Sequence, residues 1–175
     1  MVSFLRFIGA VNAAVWLGSS IFMTFFAGPA FFSAEMLDVL QHRFYAGRAA
    51  QILLSRYFTL HCVCATIAAA HLLAGWFYGG RRMTRFTIGL WTVITALILF
   101  GGFYVQPKLK KMHQTMYYGS TAQQQTEAAQ SFRVWHATSQ AANLIVTLGV
   151  LVFFWRAILP TPESPRYGTP TKYWS

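Results

Sequence analysis

Four long apolar segments constrain this chain more than anything else in it: Phe7 to Phe26, Tyr57 to Tyr78, Phe86 to Val105 and Val134 to Leu159. Each reaches roughly 20 residues or more, the length a helix needs to cross a hydrocarbon layer about 30 Å thick. Lipid offers peptide groups no hydrogen-bond partner, so such segments must satisfy their own backbone as helices. The composition agrees, with 55% apolar and only 10% charged residues and a mean hydropathy of +0.42; soluble domains carry about 25% charged residues. No stretch between the segments is long enough for a second core. The expected fold class is all-α: a four-helix transmembrane bundle over residues 1–159, with a short interfacial helix and an extended C-terminal tail over residues 160–175.

The connections carry their own punctuation. Gly28-Pro29 is expected to break the first helix near one membrane face. Ala34 to Tyr45 places Met36, Leu37, Leu40 and Phe44 on one side, as a helix lying on the bilayer would. The connection from Pro107 to Arg133 is the longest, with Lys108, Lys110 and Lys111 at a headgroup boundary and a turn at Tyr117-Tyr118-Gly119. Ser120 followed by Gln123 is a capping-box pattern, and one helix of about 37 residues is expected from Thr121 into the fourth span. Ala10, Ala14 and Gly18, like Ala65 and Ala69, recur at the spacing that lets membrane helices approach closely. In the tail, Pro160, Pro162, Pro165 and Pro170 exclude a helix, while Tyr167, Tyr173 and Trp174 offer aromatic groups to the interface or to a partner subunit.

The net charge of +10 comes from fourteen Lys and Arg against four acids. These cations gather at span ends, where lipid phosphates lie, and no basic recognition helix or aromatic RNA motif accompanies them. Membrane lipids and other membrane subunits are therefore the expected partners, and nucleic acid is not. Four spans put both termini on one side, here called the terminal side. Seven cations fall there (Arg6, Arg81, Arg82, Arg85, Arg156, Arg166, Lys172) and seven on the opposite side (Arg43, Arg48, Arg56, Lys108, Lys110, Lys111, Arg133). The concentrated Arg81-Arg82-Arg85 turn tips the expectation towards cytoplasmic termini in a bacterial inner membrane. Arg6 before an apolar run resembles a signal peptide in outline, but no small-residue cleavage site follows, so a retained span is expected. Cys62 and Cys64 point to nearly opposite helix faces and read as packing residues.

The fourth span holds the candidate site. His136, Ser139, Gln140, Asn143 and Thr147 share one helical face. Polar groups facing lipid are costly, so this stripe should face a protein interior, a cofactor or a wet cavity. His61 and His136 each follow a basic residue near the same membrane face, which makes them the candidate axial pair for a haem b. His71 is about 15 Å further along the helix from His61 and cannot share that site. His42 and His113 read as ordinary interfacial residues. Arg56 and Arg133 beside His136 would form a basic pocket for an anionic ligand, and Asn12, Ser19 and Thr24 would add polar groups from the first span. No acid occurs within a span, which argues against cation-coupled transport. No HExxH motif, Walker loop or nucleophile elbow is present.

Ala14-Val15-Trp16-Leu17-Gly18, Phe22, Thr24, Phe25 and Gly28-Pro29 resemble the opening of a four-span domain-of-unknown-function family that includes transmembrane protein 205. Ala46-Gly47, Arg56-Tyr57-Phe58, Pro107, Phe132, His136, Ser139 and Asn143 continue the resemblance over most of residues 7–157. It implies a four-span architecture, distantly similar to copper-resistance-type membrane domains and to a haem-linked oxidase of porphyrin synthesis, in which histidines serve as ligands. This chain lacks the oxidase's His-rich first span and its intramembrane Lys, so enzymatic function is not expected to carry over. Three functions follow in order of expectation: a non-enzymatic accessory or scaffold subunit of a larger membrane complex; a haem- or copper-binding protein in electron transfer or metal handling; a small-molecule carrier or channel.

Overall fold

A computed structural model describes residues 2–79 and 84–159. They form five helices. α1 runs Val2–Phe22 and continues through a π-helical turn, Met23–Ala27, to Gly28–Ala30. α2 is Ala34–Leu40, and α3 is Arg43–Gly79. α4 runs Arg85–Phe100, passes through a second π turn, Gly101–Val105, and ends as Gln106–Tyr118. α5 is Ala122–Ile158. α1, α3, α4 and α5 are long and apolar enough to cross a membrane, and the chain is a multi-pass membrane protein. The expected tail, with Tyr167, Tyr173 and Trp174, and the Arg81-Arg82 turn lie outside the described residues.

The four spanning helices close into a ring. α1 lies between α3 and α5, and α4 packs against the same two helices from the other side. Small residues of α1 and α3 (Ala13, Cys64, Ala65, Ala68) meet larger ones of α4 and α5 (Ile94, Ile98, Val146, Val150, Phe153) around the buried Trp16. Ala14 and Gly18 face outwards, contrary to the close-packing role expected of them. Gly9 makes the close approach from α1 instead, since a Cβ there would stand 2.6 Å from Nε2 of His71.

α1 ends at Ala30, one residue past Pro29, at the break expected of Gly28-Pro29, whereas α4 runs on through Pro107 to Tyr118, which corrects the boundary expected there. Both prolines follow a π turn at the same offset, two residues beyond its last residue. Proline donates no hydrogen bond, and its ring crowds the carbonyl four residues back. Widening the turn absorbs this: the Gly28 amide bonds the Met23 carbonyl and the Gln106 amide bonds the Gly101 carbonyl, each five residues back.

The interfacial helix is shorter than expected. Ser33 caps it by accepting from the Met36 amide at 3.3 Å, and Gln41 ends it in the left-handed region at φ 60°. His42 then caps α3, its Nδ1 accepting from the Phe44 amide at 3.1 Å. At the start of α5 the cap falls one residue beyond the expected Ser120. Thr121 accepts from the Gln124 amide at 3.2 Å, while Gln124 Oε1 accepts from the Ser120 amide at 3.2 Å.

Two side-chain clamps frame the membrane layer. On the opposite side Lys108 Nζ lies 3.6 Å from the Trp135 ring centroid. On the terminal side Arg156 bonds the Thr87 and Thr84 hydroxyls, both at 3.1 Å. Trp135 and Arg156 are about 21 residues, or about 32 Å, apart along α5, which matches one hydrocarbon layer. Beyond Trp135, the end of α4 and the start of α5 pack together as a head over the start of α3. Its centre is His113, buried and stacked on Phe44 at 5.4 Å, with Phe132 and Tyr117 against its other edges. His113, an ordinary interfacial residue by its place in the sequence, is enclosed by the antiparallel return of α4 and α5.

Two outcomes follow. Gly47 backs onto the His113 ring, and a Cβ there would collide with Nε2, whereas Gly18 has open space. Gly47→Ala should lower the thermal stability of the detergent-solubilised protein by about 1–3 kcal/mol, and Gly18→Ala should leave its melting curve unchanged. The Glu35 carboxyl lies below the usual carboxylate range because its own backbone amide and the Ser33 hydroxyl bond its charged form. A depressed folded pKa stabilises α2 above the ordinary carboxylate pKa, and that contribution disappears as pH falls through the folded value. Hydrogen exchange at the Met36 amide should thus accelerate in acid beyond the intrinsic trend in the native chain, and Glu35→Gln should abolish that excess.

Candidate functional site

Apart from Gln51 Oε1 and Thr95 Oγ1, which are buried without a hydrogen-bond partner, a set of polar groups buried in the bundle forms one seam across α1, α3 and α5. Three helical lines with a four-residue step build it: Trp16, Ser20 and Thr24 on α1, Tyr57 and His61 on α3, and Asn143 and Thr147 on α5. That step keeps successive side chains on one face, so three short lines suffice to meet at the bundle centre. The Trp16 indole N–H donates to His61 Nδ1 at 3.2 Å. Nδ1 is therefore the acceptor nitrogen, and the ring proton belongs on Nε2. Ser20 Oγ lies 3.4 Å from Nε2 and accepts that proton, while its own hydroxyl donates to the Trp16 carbonyl at 2.8 Å. His61 is 1% exposed, with the Tyr57 ring 4.0 Å from it.

The second half of the seam begins at Tyr57. Its hydroxyl donates to Asn143 Oδ1 at 2.8 Å. Asn143 Nδ2 donates to Thr24 Oγ1 at 2.7 Å, and Thr24 donates to the Ser20 carbonyl at 2.6 Å. Thr147 returns its hydroxyl to the Asn143 carbonyl at 2.9 Å. On the terminal side of the seam, Asn12 Nδ2 donates to the Cys64 carbonyl and the Trp91 indole to the Ala65 carbonyl, both at 3.0 Å. No carboxylate or cation takes part. The seam is neutral, and each polar atom named in it has a partner.

The predicted stripe divides. Asn143 and Thr147 belong to the seam. Ser139 is half-buried and bonds the His136 carbonyl of its own helix at 2.9 Å. His136 and Gln140 are exposed, and the His136 ring stacks on Phe132 at 5.5 Å. Asn12 and Thr24 are drawn inwards as expected, whereas Ser19 bonds the Trp16 carbonyl of its own helix.

The structure does not bring His61 and His136 together. The Tyr57–Asn143 bond sets the register of α3 against α5, so His61 lies near the level of Thr147. His136 is about 11 residues, or about 16 Å, from that level, and two ligands of one haem iron need a common depth. Counting each His from its preceding Arg conceals this, because α3 enters the bilayer well before Arg56. His61 also has no free lone pair in this arrangement: one nitrogen accepts from Trp16 and the other carries the proton. Among the described residues no group of three His, Cys, Asp or Glu side chains is placed to hold a metal ion.

Arg56 and Arg133 are both exposed, as is His136. Arg56 is level with about residue 142 of α5, so Arg133 stands about 14 Å nearer the head. Sequence reasoning missed Trp16, Ser20 and Tyr57 as members of the site. The available signal was the four-residue step shared by hydrogen-bonding residues on three different spans.

This arrangement defines a helical multi-pass membrane protein with a neutral, hydrogen-bonded interior. The chain belongs to a family described as a domain of unknown function (DUF4149), whose profile matches residues 11–118. The match covers most of α1 and all of α2, α3 and α4, including Trp16, Ser20, Thr24, Tyr57 and His61; Asn143 and Thr147 lie beyond it. No curated protein and no solved structure matches the chain.

Asn143→Leu leaves the Tyr57 hydroxyl and Thr24 without their shared partner. It should cost about 1–2 kcal/mol in a reversible unfolding assay in detergent or bicelles. Trp16→Phe should cost a similar amount by removing the donor to His61. Gln140→Leu, on the same sequence stripe but exposed, should not destabilise the fold; equal losses at Asn143 and Gln140 would mean that the stripe acts as one unit.

Proposed function

We propose that this chain is a non-enzymatic accessory or scaffold subunit of a larger membrane complex. One observation carries the reading: the interior polar seam is closed on itself. Its donors and acceptors are spent on one another, so it holds three helices in register and leaves no charged group for proton transfer. The four acids, Glu35, Asp38, Glu127 and Glu163, all lie outside the four apolar segments. Cation coupling in a membrane interior generally relies on such groups.

The same reading places the chain in a bacterial inner membrane with cytoplasmic termini, on the strength of its short arginine-rich turn. It takes Tyr167, Tyr173 and Trp174 as the aromatic arm that docks on a partner subunit. It extends the family kinship to transmembrane protein 205 and, more distantly, to copper-resistance-type membrane domains, through the residues from Ala14 to Asn143 described above.

Gentle purification from native membranes tests the proposal. The chain should elute in a complex larger than its own detergent-bound monomer, and removal of residues 160–175 should shrink that complex. A clean monomer unaffected by the truncation would overturn the subunit reading. The absorption spectrum of the same preparation tests the haem alternative: a Soret band lost in His61→Ala would replace this proposal with a haem protein. Solute flux into liposomes containing the purified chain alone, abolished by Asn143→Leu, would replace it with a carrier.

A further inference from the structure

Arg56 is out of place for a boundary arginine. Lys108 lies over the Trp135 ring, and a basic and an aromatic side chain paired at a span end are the groups that sit at a membrane–water interface, here the opposite face. The Tyr57–Asn143 bond fixes the neighbouring residue Arg56 near the level of residue 142 on α5. Arg56 therefore emerges about seven residues, or about 10 Å, inside the hydrocarbon layer. It is exposed, and it has no hydrogen-bond, ion-pair or ring partner among the described residues. Its surroundings face lipid, since Ile52, Leu60, Val63 and Ile67 are exposed on the same side of α3. No acid of this chain lies in any span to pair with it.

A guanidinium at this depth needs an anion or water. Side chains on a helix lean towards its N-terminus, here towards the head, but an arginine stem recovers only part of the depth. We propose that Arg56 holds the phosphate group of an anionic phospholipid, drawn below the plane of its neighbours against α3. The planar guanidinium matches two phosphate oxygens at once. The exposed Ser55 beside it supplies a hydroxyl donor. Free phosphate shares the binding chemistry, but the apolar flanks of Ile52 and Leu60 offer it no aqueous approach. An anionic lipid is favoured over a zwitterionic one because no headgroup ammonium competes with Arg56 for the phosphate. The cations of the head, Arg48, Lys108, Lys110, Lys111 and Arg133, raise the local concentration of such lipids. This inference goes beyond the accessory-subunit proposal and stands without it.

The test uses the full chain in phosphatidylcholine vesicles containing a minority of phosphatidylglycerol. Native mass spectrometry then counts the lipids that remain bound on release. Wild-type protein should retain phosphatidylglycerol, and Arg56→Gln should retain about fivefold less, the effect of one cation at a membrane surface. Arg56→Lys, which keeps the charge without the fork, should fall between them and guards against misfolding of the Gln variant. Lys110→Gln, at an exposed cation of the head that only attracts such lipids, should lose far less than Arg56→Gln. Equal retention by wild type and Arg56→Gln overturns the proposal, and so does an equal loss in Lys110→Gln. Displacement of the lipid by inorganic phosphate, or loss of a co-purifying protein rather than of lipid in Arg56→Gln, also overturns it.

Discussion

The indole–imidazole bond between Trp16 and His61 is the contact on which the bundle interior is arranged. Each partner is large, buried and polar at one edge, and neither can stay in hydrocarbon with that edge unmet. Bonding one to the other fixes α1 against α3, selects the His61 tautomer and places Ser20 to take the remaining ring proton. Trp16 also packs edge-on against Phe153 at 5.9 Å, which ties the same indole to α5. From there the Tyr57–Asn143–Thr24 bonds close the circuit. Hydrophobic collapse does not specify helix register in lipid, because tails and side chains are equally apolar. Directional bonds of this kind do.

The spans were legible in the sequence because bilayer thickness imposes a minimum length on any apolar run. The helix ends were less so. Pro29 and Pro107 read as breaks by the ordinary rule; α1 does end one residue past Pro29, yet α4 runs on through Pro107 to Tyr118. In each, a five-residue π turn removes the carbonyl clash. Nothing local in Met23–Ala27 or Gly101–Val105 announces a wider turn, since the signal is the proline that follows it.

Half of the site was legible for a similar reason. Asn143 and Thr147 stood out as polar residues in an apolar helix and do face the interior. His136 stood out equally but is exposed, because α1 stops at Ala30, about six residues past the level of Asn143. Near His136 little of α1 remains to cover that face of α5. Trp16 and Tyr57 escaped notice because they count as apolar in composition while each carries a hydrogen-bonding edge. His113 illustrates the converse: a residue read as interfacial becomes buried when two helices extend past the bilayer and pack on each other.

The two clamps have a consequence for where such a protein can reside. Lys108 on Trp135 and Arg156 on Thr84 and Thr87 each join α4 to α5 across adjacent helices. Their separation is set by helical rise and cannot stretch. An isolated helix meets a thicker or thinner bilayer by tilting, but α4 and α5, tied to each other at both ends, tilt only together. The α4–α5 pair thus sets a length of about 32 Å between its two clamps. In membranes that depart from this value the lipid must deform around it, so mismatch alone would enrich the protein wherever the bilayer already fits.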